Sequence, residues 1–442
     1  MARFLFTQWD GGGSLPPELT VVRRLVSAGH TVTVLGDPVT ETEVRAVGVT
    51  DFRPWVDAPH HDTRRAEDDY IRDWELRNPT RVLANLMDTL MVKPAPLFAA
   101  ETLAAIDDVQ PDAVASSFPL LGSLMAAELR RVPCAALVPN VVSLPADGMP
   151  PFGTGFLPAK GRIGRARDRF LNALVDRLWN KGLPELNRVR TSLGLRPLDR
   201  LLAQYEQPER VLALTAAAFD FPAALPPNVR YVGPQLDDPE WAEPWTPPDD
   251  DRPFVLVAMS TTFMDHLDQL QHAVTALGDL PVQGLVTTGP AMDPDQIAAP
   301  DAVSVVRSAP HREVLARADV LVTHGGHGTV MKALVAGVPI VCMPTGRDQP
   351  DNAARLVHRG AGVKISKKAS PAKIAAAVQQ VLDDKSFQAA AARLGEQLRA
   401  EADSGAALAE LEAIASPARS NTGSQQRRRG SDRLGYEHTF DS

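Results

Sequence analysis

Apolar runs recur along this chain in one order: a short strand-like run, a glycine turn, then apolar positions at helical spacing. Phe4-Leu-Phe-Thr7 reads as a buried strand. Gly11-Gly-Gly13 follows as a turn, and Pro16-Pro17 suits a first helical turn, where a missing N–H costs nothing. Leu19 to Ala28 is helical in spacing and stops at Gly29, before a second strand, Thr31-Val-Thr-Val-Leu35. This βαβ unit opens a parallel, doubly wound sheet. Further strands are predicted at Asp112–Ala115, Cys134–Val138, Val211–Leu214 and Arg230–Val232, with helices at Phe98–Asp107, Leu121–Arg131 and Arg165–Leu193. Residues 51–95 read as charged and irregular, with scattered aromatics Phe52, Trp55, Tyr70 and Trp74. Residues 139–165 form a loop rich in Pro and Gly, and a long loop without its own structure is usually functional.

The composition then shifts to a proline-rich acidic stretch, Asp237 to Asp251, which reads as a linker. The pattern restarts at Phe254-Val-Leu-Val-Ala258 and a hydroxyl-rich turn, Ser260-Thr-Thr262. A helix (Asp265–Leu277) and strands at Val282–Thr287 and Val303–Val306 follow. Then Ala318-Asp-Val-Leu-Val322 runs into Thr323-His-Gly-Gly-His-Gly-Thr329, and a helix-like segment, Val330–Ala336, leaves it and stops at Gly337. Glycines let backbone N–H groups approach a ligand, and a helix N-terminus carries partial positive charge, so this turn suits an anion such as phosphate. Asp348-Gln349, downstream of Pro344, sets two hydroxyl-binding side chains together. A phosphate cradle followed by a polyol clamp reads as a sugar-nucleotide site. Pro371–Ala402 is Ala-rich and helical, and from Ser416 the chain is of low complexity and expected to be disordered. The division expected is 1–235, a linker at 236–252, 253–415 with its last helix packing back on the first domain, and a tail at 416–442.

A chain of 442 residues suits two domains of roughly 200 residues each. Its net charge of −8 argues against a nucleic-acid partner, and the one basic block, Arg427-Arg-Arg429, lies in the tail. No run of 18 apolar residues is present, so no membrane span is expected and the cytoplasm is the default address. Cys134 and Cys342 lie in apolar runs and read as buried thiols, not a disulfide pair. A dinucleotide fingerprint fails at both glycine turns, with Pro16 and Met331 where its third glycine belongs. There is no P-loop, and His60-His61 and the other histidines lack metal-ligand spacing, so no metal is expected.

Four segments carry a resemblance: Arg307-Ser-Ala-Pro-His-Arg-Glu-Val-Leu315, Thr323–Thr329, Gly337-Val-Pro-Ile340 and Pro344-Thr-Gly-Arg-Asp-Gln349. In order, they resemble the donor signature of family 1 glycosyltransferases, nearest the bacterial macrolide- and natural-product-modifying branch. The Phe4-to-Val34 unit and Val229-Arg-Tyr-Val-Gly-Pro234 fit the same family. The resemblance implies an α/β GT-B fold, two Rossmann-like doubly wound domains facing a cleft. The first would bind the acceptor and the second the nucleotide sugar. The sugar's anomeric centre would be inverted without a metal or cofactor, the co-substrate being a UDP- or dTDP-sugar, in a monomer or homodimer. His324 would donate to the diphosphate, and Gly326, His327, Gly328 and Thr329 would supply backbone N–H groups and a hydroxyl. Asp348 and Gln349 would bind sugar hydroxyls, Ala309 the base edge, and Thr261 a phosphate. Ser308 and His311 complete the expected donor set.

Three positions depart from the family pattern. Ser308 replaces an aromatic that stacks on the base, and Lys332 replaces a carboxylate that holds the ribose, so a dTDP-linked donor asks less of this site. Aligned on Pro17, the usual basic histidine is Ser14, and its aspartate partner is Ser117. A serine hydroxyl is far too weak a base at neutral pH. Asp10, in the same turn, is the first alternative base and Asp147, in the Pro/Gly loop, the second. A phenolic acceptor lowers the demand, and attack by a ring carbon is a further route. Trp9, Trp55, Trp74, Phe118, Met149 and Phe152 are the expected acceptor pocket. The rival readings are a catalytically inactive homologue that binds nucleotide sugar or natural product, and a nucleotide-sugar epimerase.

Overall fold

The computed structural model describes residues 1–76, 78–238, 243–247, 251–259, 266–289 and 292–416. Its first sheet is built from β1 (Arg3–Thr7), β2 (Thr31–Gly36), β3 (Asp51–Pro54), β4 (Ala113–Ser117), β5 (Cys134–Val138), β6 (Arg210–Ala213) and β7 (Val229–Tyr231). The order is β3-β2-β1-β4-β5-β6-β7 and every pairing is parallel. The second sheet holds β8 (Phe254–Ala258), β9 (Gln283–Thr287), β10 (Val303–Val306), β11 (Val320–Thr323), β12 (Ile340–Cys342) and β13 (Gly362–Lys364). It runs β10-β9-β8-β11-β12-β13, again all parallel. Helices cover both faces, so the central strands are buried along their whole length and read as unbroken apolar runs.

Three strands fall outside the predicted set: β3, in the segment expected to be irregular, and the three-residue β12 and β13. The single helix expected at 165–193 is two, Gly161–Trp179 and Leu183–Ser192, and the helix at the glycine turn begins earlier, at His327. Cys134 and Cys342 are free and buried. The stretch Thr80–Val109 has the length and mean hydropathy (1.2) of a membrane span. Its Met87, Leu90, Met91 and Phe98 are instead core residues of the first sheet's cluster. The tail beyond Ser416 and much of the linker lie outside the described residues.

One close approach fixes the packing of that stretch. Helix Leu121–Arg130 crosses helix Ala95–Val109 at Gly122, where an added Cβ would lie 2.1 Å from the Ala95 carbonyl oxygen. The obstacle is backbone, so the helices themselves must part. Gly122→Ala is expected to destabilise by about 1–3 kcal/mol, the usual cost of overpacking, read as a lower urea midpoint. An unchanged midpoint would show that the two helices slide freely.

The final helix, Ala406–Ala415, buries Ala407, Leu411 and Ile414 in the same cluster as Phe4 and Leu25 of the first sheet. Arg210 pairs with Glu410 at 2.5 Å and His30 with Glu412 at 2.9 Å. The second unit is therefore strapped onto the first by the chain's own end.

Candidate functional site

In the second sheet the chain winds from β8 toward β9 and β10 on one side and from β11 toward β12 and β13 on the other. The crevice opens at the carboxyl ends of β8 and β11, where winding reverses, which is where open α/β sheets bind ligands. Gly325 turns the backbone there with φ +92, and a Cβ on it would sit 2.6 Å from Cys342 Sγ, so only glycine fits. Gly326 then caps helix His327–Val335, whose first N–H groups face the crevice end. The cleft here, ≈ 750 Å³ and open to solvent, is lined from the second sheet by Ser308, Ala309, Gly328 and Thr329. Gly13 and Pro17, from the glycine turn of the first sheet, line its other wall. His311 and Lys332 also line it.

The two histidines of the turn have different jobs. Thr323 Oγ1 accepts the Gly325 N–H at 3.3 Å and meets His324 Nδ1 at 3.4 Å. The ring also hydrogen-bonds the Ala258 backbone, and its Nε2 lies beside Gly326. Burial, with the positive neighbours His266 and Arg347, pushes His324 down to about 3, so the ring is neutral. His327 is also held near 3 by burial, with Arg355 adding to it, but its Nε2 is 2.8 Å from Thr215 Oγ1 in the first unit. Its side chain bridges the two units, and only its backbone N–H is placed for a ligand.

Asp348 and Gln349 open helix Gln349–His358. Burial raises the Asp348 carboxyl, and Asn352 donates to its Oδ2 at 2.8 Å. Gln349 Oε1 is taken up by its own turn, accepting from Thr345 N, Thr345 Oγ1 and Gly346 N at 2.8, 2.6 and 3.1 Å. Its amide NH2 end is the part left for a hydroxyl. Ser308 Oγ accepts the Glu243 N–H at 3.1 Å, and His311 Nε2 is 3.5 Å from Thr287 Oγ1. Thr261 lies outside the described residues. Lys332, the unexpected residue, pairs with Asp238 Oδ1 at 2.6 Å, while Asp238 Oδ2 accepts the Arg312 N–H at 3.1 Å. Burial alone would raise the Asp238 carboxyl, but Lys332 and that N–H outweigh it and hold it below its ordinary value. Asp238 thus stands behind the lining residue Lys332, and the linker carboxylate that itself lines the cleft is Asp237, 3.0 Å from Arg23 Nη1.

The match to known proteins follows this geometry. Residues 271–414 fit the family described as erythromycin biosynthesis protein CIII-like, C-terminal domain. 4'-Demethylrebeccamycin synthase of Lentzea aerocolonigenes is 29% identical over 408 residues, covering 90% of this chain and 96% of its own. The solved glycotransferase of kitacinnamycin superposes with a TM-score of 0.75 at 21% identity, over 94% of this chain and 99% of that one. Glycosyltransferase VinC, solved in complex with dTDP, superposes at 0.64 with 19% identity, over 93% of this chain and 99% of that one. The chain has the GT-B fold of these solved glycosyltransferases, and its residues 271–414 carry the CIII-like C-terminal domain.

Set in this GT-B frame, the expected base and acceptor residues divide sharply. Asp10 Oδ1 accepts the Gly12 N–H at 2.9 Å and Oδ2 accepts Arg64 Nε at 2.7 Å, so the carboxylate is committed to holding its own turn. Its backbone N–H goes to Asp37, which also binds His61 Nδ1 at 3.0 Å. Asp147 is an exposed loop acid whose backbone bridges Ala224. Trp55 is 1% exposed, donates Nε1–H to Gln8 O at 2.9 Å, and packs edge-on against Phe98. Met149 is buried against Arg355, and Phe152 packs on the second unit's core, so neither lines a free pocket in the first. Phe118 stacks on Tyr205 at 4.0 Å. Trp9 packs at the edge of the core beside the Tyr70 hydroxyl, and Trp74 is half-buried beside Asp73. Asp73 makes a two-pronged ion pair with Arg347 across the cleft, at 2.7 and 2.8 Å.

The serines retain a connection. Ser117 Oγ donates to Glu18 Oε2 at 2.6 Å. Glu18 is 2% exposed and lies one helical turn after Ser14, whose Oγ is buried with no hydrogen-bond partner among the described residues. The i, i+4 spacing of Ser14 and Glu18 was the available sequence signal for this carboxyl.

Proposed function

We propose that this protein transfers a sugar from a UDP- or dTDP-sugar to a small lipophilic or phenolic natural-product acceptor, with inversion and without a metal or bound cofactor. It would act in the cytoplasm, as a monomer or homodimer. The observation that carries this reading is the cleft between the two glycine turns. It sets Gly328 and Thr329, in the first turn of the helix that follows His324, on one wall and Gly13, Pro16 and Pro17 on the other. Donors fixed in a partly buried cleft stabilise the charge that grows on a leaving diphosphate. Ser308 in place of a stacking aromatic suits either base, and VinC was solved with dTDP. The test is incubation with dTDP-glucose, UDP-glucose and a panel of phenols, followed by mass spectrometry. No glycoside and no donor hydrolysis with any pair would sink the reading.

In this reading Asp237, which lines the cleft, takes over the ribose contact that Lys332 cannot make. A hydrogen bond to a charged group contributes about 1.5–3 kcal/mol, so Asp237→Asn is expected to raise the donor KM roughly 10-fold and leave kcat nearly unchanged. An unaltered KM would remove Asp237 from the donor site.

A further inference from the structure

The geometry points to Glu18 as the group that takes the acceptor's proton, relayed through Ser14. This rests on the transferase reading above. Glu18 lies in the first turn of helix Leu15–Ser27, directly behind the turn whose Gly13, Pro16 and Pro17 wall the cleft. The carboxyl does not face solvent as an acid on an amphipathic helix ordinarily does. It points into the sheet and is anchored at 2.6 Å by Ser117, the last residue of β4. β1 and β4 are neighbours from which the chain winds in opposite directions, so their carboxyl ends form the crevice of the first sheet.

The groups around this carboxyl are uncharged. Thr7 Oγ1 donates to Ser116 Oγ at 2.8 Å, and Ser116 Oγ to Ser117 O at 3.3 Å. The charged groups of the turn, Asp10 and Arg64, are paired with each other. Burial therefore dominates and pushes Glu18 up to about 8, the Ser117 hydrogen bond offsetting only part of it. A carboxyl lifted into this range is far better matched to proton transfer near neutral pH than an ordinary glutamate. Ser14 supplies the link: leaving a buried hydroxyl unpaired is costly, and an acceptor hydroxyl would satisfy it. Serine at 14 and glutamate at 18 share one helix face, the i, i+4 spacing that sets Cβ atoms about 5–6 Å apart.

The step balances. The acceptor oxygen forms a bond to the anomeric carbon as the bond from that carbon to the diphosphate oxygen breaks, its electron pair leaving on the nucleoside diphosphate. The acceptor's proton passes to Ser14 Oγ while the serine proton passes to the Glu18 carboxylate. The neutral carboxyl returns that proton to solvent after product leaves.

The experiment compares wild type, Glu18→Gln and Ser14→Ala with phenols of graded acidity, recording kcat/KM from pH 6 to 10. Wild type is expected to rise with pH and level off near 8. Glu18→Gln is expected to lose about 10²–10⁴-fold with weakly acidic phenols, little with the most acidic, and the rise near pH 8 altogether. Binding of dTDP should not change. A readout apart from activity checks the buried carboxyl. Its folded value lies above the unfolded 4.5, so charging it costs folding stability increasingly from pH 4.5 to 8. The melting temperature of Glu18→Gln should accordingly match wild type at pH 4.5 and exceed it at pH 8. Turnover of Glu18→Gln within about 3-fold of wild type on every phenol, or an equal loss on all of them, overturns the inference while the transferase reading stands. Failure of wild type on every pair overturns both.

Discussion

His324→Ala is expected to lower kcat about 10²–10³-fold while leaving acceptor KM nearly unchanged, the usual effect of removing one preorganised donor to developing charge. The ring is rigidly presented: Thr323 fixes Nδ1, Gly326 leaves no room for a side chain beside Nε2, and the residue is 8% exposed. A neutral imidazole also avoids the cost of a buried cation before the donor arrives. Because the folded value is about 3, the ring's state is constant through the working range. The ratio of wild-type to His324→Ala rates should therefore be flat between roughly pH 5 and 9. A ratio that falls as pH rises through 6.5 would show that the charged form acts. A loss confined to KM would place His324 in ground-state binding alone. Gly326→Ala, whose Cβ would press on Nε2 at 2.7 Å, should reproduce part of the kcat loss without touching the imidazole chemically.

The donor half of this site was legible in the chain because its parts are local. A strand, a glycine turn and a helix start occupy Val320–Val335 without interruption, and their periodicity changes within a few residues. The short strands were not legible. β12 and β13 are three residues each, too few to show a period, and β3 is an edge strand with a charged face, Asp51 and Arg53. The first unit's site was less legible still, because its contacts are non-local. Ser117 reaches Glu18 across 99 residues and Arg347 reaches Asp73 across 274. An acid in the first turn of a helix reads as a partner for the helix dipole, and only the strand packed beneath it makes Glu18 a buried carboxyl. Trp55 misled for the opposite reason: among charged residues it reads as a surface aromatic, yet it follows β3 and is covered by helix Ala95–Val109 through Phe98.

The same non-local contacts hold the cleft's two walls at a fixed distance, and Arg355→Met is the change expected to loosen them most. Arg355, on helix Gln349–His358, binds Asp220 of the first unit through Nε at 2.7 Å and Nη2 at 2.6 Å. It also lies over the Phe221 ring at 4.4 Å and reaches Met149 Sδ. Asp220 is 0% exposed, so removing the guanidinium leaves a buried carboxylate without its cation, a loss of about 3–5 kcal/mol. Val142 N, Phe221 N and Tyr231 Oη still donate to Asp220, which places the loss toward the lower end. At roughly 2–4 °C per kcal/mol for units of this size, the melting temperature should fall by about 6–12 °C. Asp351 on the same helix holds the Gly153 and Gly155 N–H groups at 2.6 and 3.1 Å, so the Pro/Gly loop should loosen with it. Adding Asp220→Asn to Arg355→Met should recover part of the loss, because the stranded charge is then gone. A melting temperature within about 2 °C of wild type for Arg355→Met alone would mean that the strap of Glu410 and Glu412, not this pair, carries the junction.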